Sequence, residues 1–78
     1  MSFISLNELK IGQKGSIKEL TGPTEICQRL LEMGLTQGTL LEVVRFAPLG
    51  DPIDVKLRGY HLSLRRQEAK CIIILPKE

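Results

Sequence analysis

The rhythm of apolar and polar residues changes along this chain, and each change predicts an element. The clearest stretch runs from residue 53 to residue 64. Ile53, Val55 and Leu57 alternate with Asp54 and Lys56, and Tyr60, Leu62 and Leu64 alternate with His61 and Ser63. With Arg58-Gly59 as a two-residue loop, Leu57 faces Tyr60, Val55 faces Leu62 and Ile53 faces Leu64. All six apolar side chains then share one face, and the polar four share the other. A slip of one residue brings charges into the apolar set, which a buried face forbids. Arg58 is not a favoured residue where a tight hairpin turn needs positive φ.

Upstream, residues 39–46 predict a strand with apolar side chains on both faces, as expected for a strand covered on both sides at one end. Residues 16–20 predict a first strand. Residues 70–75, with the run Cys71-Ile72-Ile73-Ile74-Leu75, predict a central or barrel-closing last strand that Pro76 ends. Between the strands at 39–46 and 53–58, the loop 47–52 carries Pro48 and Pro52 around Gly50-Asp51. Two prolines remove donors and fix φ, so this is a stiff connection.

A helical period appears where Ile26, Leu30 and Met33 recur with Cys27 and Leu31 beside them. Gly22 is the expected N-cap with Pro23 at the first helical position. Glu25 and Arg29 are spaced to pair across one turn, and Gly34 supplies the left-handed residue that ends the helix. Ser5-Leu6-Asn7-Glu8 has capping-box spacing, with Ile4 and Leu9 placed as a staple, and residues 65–69 predict another single turn. The whole reads as one domain over residues 1–78, mostly β. The predicted fold is a small SH3-like five-stranded barrel with a short helix inserted between the first two strands.

Composition narrows the chemistry. There is no Trp and aromatics are 4% of the 78 residues, so the core is aliphatic. Eleven basic residues against nine acidic ones give a formal +2, too mild for a nucleic-acid partner. Phe3 and Phe46 are the only aromatics left once Tyr60 is assigned to the core, so a base-stacking surface is not expected either. Cys27 and Cys71 lie far apart, matching neither a zinc motif nor a disulfide framework. No apolar run approaches the roughly 18 residues of a membrane span, and no signal peptide is read, so the expected location is cytoplasmic.

Neither a phosphate loop nor a nucleophile–base constellation is present, and His61 reads as a surface residue. The expectation is therefore a non-enzyme with no cofactor and no metal site. Arg45, Arg58, Arg65 and Arg66 are the basic candidates for contact with an acidic partner. The predicted protein-binding surface is a groove edge between Leu30 and Met33 at the helix end and Pro48, Leu49 and Pro52 in the stiff loop. Arg45 and Arg65 flank it.

Several of these residues together carry a resemblance. Arg29-Leu30-Leu31-Glu32-Met33-Gly34-Leu35, Gly38, Val43-Val44-Arg45 and Ala47-Pro48-Leu49-Gly50-Asp51-Pro52-Ile53 resemble FeoA, the ferrous iron transport protein A family. Gly59, Leu62, Leu64-Arg65 and Glu68-Ala69 extend the match over nearly the whole chain. The resemblance implies an SH3-like barrel serving as cytoplasmic adaptor or regulator of FeoB, a membrane iron transporter with a GTPase domain. It implies no active site, and membrane association only through that partner. The barrel is also similar to the C-terminal domain of iron-dependent repressors. That likeness implies the alternative of a metal-responsive regulatory domain, for which a transition-metal site would be needed.

Overall fold

The structure is a computed structural model that describes residues 2–77. Six strands are accompanied by three short helical pieces among the described residues. In chain order they are β1 (Ile4–Ser5), a 3-10 turn (Leu6–Glu8), β2 (Lys14–Leu20), α1 (Thr24–Glu32), β3 (Leu40–Phe46), β4 (Ile53–Leu57), β5 (Tyr60–Leu64), α2 (Arg66–Ala69) and β6 (Ile72–Lys77). All pairings are antiparallel, in the spatial order β1-β6-β2-β3-β4-β5.

Three corrections to the predicted barrel follow. The short strand β1 pairs with β6 through Ile4–Ile74 and Ser5–Ile73, so there are six strands and α1 follows the second rather than the first. The two edge strands, β1 and β5, do not pair with each other among the described residues, so the sheet stays open. Pro76 does not end the last strand but lies inside β6 opposite Gly15. β1 reaches only Ile73 and Ile74, which leaves an open edge beside Pro76 where a proline is tolerated.

The hairpin register is the one the alternation dictates: Ile53 opposite Leu64, Val55 opposite Leu62, Leu57 opposite Tyr60. Ile53, Val55, Leu57 and Leu64 are buried, and Leu62 is half-buried. They join Ile17, Leu41, Val43, Ile72 and Ile74 from the other strands in one aliphatic core, closed by Leu30 of α1 and by Leu6 and Leu9. Tyr60 is corrected out of that core. It is 40% exposed, because its ring stands at the hairpin end and its hydroxyl donates to the Met33 carbonyl at 3.1 Å. In β3 the imperfect alternation has a different cause from double coverage. The register against β4 shifts between Val43 and Arg45, and this bulge re-aims the end of the strand so that Arg45 stands opposite Asp54.

The start of α1 is shifted by one residue from the sequence reading: Pro23 is the N-cap, and Thr24 opens the helix. Gly34 has φ +91° and follows the C-cap Met33, as a left-handed terminator should. The predicted Glu25–Arg29 pair is replaced by a tertiary one. Arg29 reaches Glu68 of α2 at 3.4 Å. Glu68 is buried and also accepts the Arg65 amide at 2.9 Å, so a carboxylate removed from water gains two donors. At the N-terminal 3-10 turn the Glu8 carboxylate accepts the Ser5 amide at 3.3 Å, one half of the predicted capping box.

Candidate protein-interaction surface

The loop between β3 and β4 is short, closed and fixed at both ends. The Ala47 amide donates to the Pro52 carbonyl at 3.0 Å, and the Gly50 amide donates to the Ala47 carbonyl at 2.7 Å. Asp51 holds it from outside: its Oδ1 accepts the Arg66 amide, the first of α2, at 3.1 Å. That amide has no partner within its own helix, so the loop supplies one. The result lifts Leu49 into solvent, where it is 92% exposed. Among the described residues no other large hydrophobic side chain approaches this exposure; the next, Ile11, is at 62%.

The predicted site residues separate into three places. Pro48 and Leu49 are exposed on the loop, and Pro52 is half-buried at its foot. Arg65 is exposed at the start of α2, next in sequence to Arg66, whose amide anchors the loop. Arg45 is exposed at the end of β3 and is engaged with Asp54, its Nε donating to Oδ2 at 2.9 Å. Asp54 also accepts the Ser63 hydroxyl at 2.6 Å. These two donors, Ser63 first, hold its carboxyl below the usual carboxylate value.

Leu30 is corrected: it is fully buried and is part of the core, not of any contact surface. Met33 is half-buried and lies at the other end of β5, beside Tyr60, whereas the loop adjoins the Ile53–Leu64 pair. Four residue steps along β5 separate them, about 13 Å. The predicted single groove therefore divides into a loop surface and a helix-end surface. Sequence reasoning left Asp51 and Arg66 out of the site. The signal for them was an acidic residue in the loop and a predicted helical turn near residue 65, whose free amides needed an acceptor. Arg58 is placed elsewhere again: its guanidinium donates to the Thr39 and Thr36 hydroxyls at 3.1 and 3.4 Å.

Among the described residues no group of three or more His, Cys, Asp or Glu side chains is positioned to hold a metal ion. No described helix is long and apolar enough to cross a membrane. Cys27 and Cys71 are free thiols, half-buried, each directed at a backbone carbonyl.

Comparison with known proteins then decides the family. A family profile described as the FeoA domain matches residues 4–76. The chain belongs to the FeoA family. A FeoA-like protein from Clostridium acetobutylicum, solved by NMR, superposes with a TM-score of 0.93 at 36% identity, covering 100% of this chain and 91% of that one. FeoA of Stenotrophomonas maltophilia, crystallised with zinc and described as a prokaryotic SH3 domain protein, superposes with a TM-score of 0.79. It is 25% identical, over 92% of this chain and 89% of that one. The FeoA fold here is thus SH3-like. A longer relative is the Fe(2+) transport protein A/Fe(2+) transporter FeoB fusion protein of Porphyromonas gingivalis, 39% identical over 64 residues. That match takes in 82% of this chain, which spans only 8% of the length of the fusion protein.

Proposed function

We propose that this FeoA domain is a small cytoplasmic adaptor of ferrous iron transport, docking on a FeoB-type transporter and altering its activity without chemistry of its own. The observation that carries the reading is the fusion relative, in which a matching domain and a FeoB transporter share one chain. Such joining holds two interacting parts at high effective concentration. The contact residues we propose are Pro48, Leu49 and Pro52 in the loop, with Arg45 and Arg65 beside it. A loop already tied by three hydrogen bonds loses little freedom on docking. An apolar side chain held 92% exposed gains the most from being covered. The arginines favour an acidic rim on the partner and faster encounter, an effect that salt screens. Met33 belongs to the same proposal only if the partner also reaches the helix end.

Leu49→Asp tests the loop. It removes the apolar tip at a site where nothing in the fold depends on it. The expected variant keeps its melting temperature but fails to restore transporter-dependent ferrous uptake in cells lacking the native protein. Full uptake with a folded variant removes the loop from the contact. Unchanged uptake on deleting the whole protein removes the adaptor reading.

A further inference from the structure

The sheet's last strand has one side free. With a two-residue loop closed by the Leu57–Tyr60 pair, the hydrogen-bonded pairs of the hairpin fall at Tyr60, Leu62 and Leu64. The amides and carbonyls of His61 and Ser63 then point away from β4. No backbone hydrogen bond from elsewhere among the described residues reaches them. Edge strands are normally blunted by proline, lysine or a bulge. β5 has none of these, and its pairing with β4 runs without a register shift. The other edge, β1, is only two residues long.

Charge selects what can lie there. Across the outward face, Lys77, Lys14, Glu42, Lys56 and His61 stand directly opposite one another on five successive strands. Glu42 forms no ion pair with Lys14 or Lys56. This row is basic on balance and ends on the free edge at His61. On the opposite face the edge offers half-buried Leu62 and the Tyr60 ring, with Met33 behind it.

We infer that β5 is a site of strand addition for an extended acidic segment of a protein partner. The segment places a carboxylate on the face of His61 and Lys56, and apolar residues on the face of Leu62 and Tyr60. Backbone pairing provides binding, and the alternation of side chains provides choice of sequence. A second copy of the chain is the poorer occupant. Pairing two five-residue edges falls far short of the roughly 1,200 Å² at which specific interfaces begin. The inference is separate from the loop contact proposed above and is tested without any transporter.

The test uses isotope-labelled protein and end-blocked pentapeptides at millimolar concentration. Glu-Val-Glu-Val-Glu is the probe, and Lys-Val-Lys-Val-Lys is the charge control. The acidic peptide is expected to shift amide resonances along β5 and β4 and to slow exchange of the His61 and Ser63 amides at least threefold. The basic peptide is expected to do neither. Ser63→Ala keeps the outward amide and retains the effect, whereas Ser63→Pro removes that donor and abolishes it. Should the proline variant lose its fold, the two peptides and the alanine variant still decide the matter. Equal binding of both peptides, shifts confined to other surfaces, or loss of the effect in Ser63→Ala overturns the inference. So does protection of these amides that rises with protein concentration alone, since a second copy then holds the edge.

Discussion

Gly34 and Asp54 show how single residues set the conditions under which the fold persists. At Gly34 the backbone has φ +91°, and a Cβ there would meet the Tyr60 hydroxyl at 3.0 Å. That hydroxyl is the one held by the Met33 carbonyl, so it cannot simply move aside. Gly34→Val is therefore expected to destabilise by about 1–3 kcal/mol. Glu32→Gln, at an exposed position, should stay within roughly half a kcal/mol. Urea unfolding of the two variants checks this; equal midpoints would refute it. Asp54 makes a pH-dependent contribution. Its folded carboxyl titrates below its ordinary value of 3.8 because Ser63 and Arg45 donate to it. The unfolded chain then binds the proton more readily than the folded one. The stabilisation is full above the ordinary value and disappears as pH falls through the lower folded value. Ser63→Ala removes the larger cause, so the gap in melting temperature between parent and variant should narrow as the pH is lowered through 3.8.

At the scale of elements, legibility followed how local the determining contact was. The β4–β5 register was readable because alternation on a two-residue turn leaves one solution. The turn's doubtful residue, Arg58, does take positive φ, at +50°. Its guanidinium compensates by donating to Thr39 and Thr36, contacts 19 and 22 residues away that no local pattern announces. The end of α1 was readable from Gly34 for the same local reason. Its pairing was not, since Arg29 has an acidic neighbour in sequence, Glu25, and a better one in space, Glu68. The β3 bulge also escaped, because a slipped alternation looks like a strand covered on both faces. In the candidate site, the loop and its exposed Leu49 were visible from two prolines around a Gly-Asp pair. The separation of Met33 from that loop was not, because it depends on the length and direction of β5 between them.

For the whole molecule, the family membership rests on a signature that spans loop, helix and sheet, and the expected absence of a metal role is a matter of ligand placement. One His and two separated Cys offer no cluster, and no group of three ligating side chains gathers among the described residues. Calorimetric titration of the purified chain with ferrous or zinc ions is expected to give weak binding at most. A stoichiometric site of submicromolar affinity would overturn that.

Glu68 has a mechanical consequence. Arg29 of α1 grips one of its oxygens, and the amide that opens the α2 turn grips the other. The next amide in line, that of Arg66, is the anchor of the Leu49 loop. The Leu49 loop, besides its covalent continuity with β3 and β4, is thus linked to α1 through two hydrogen bonds and one ion pair. The link's far end is its soft one, since the Arg29 side chain is 69% exposed and its grip is open to salt. The stiffness of that link is therefore one that the ionic strength of the medium can tune.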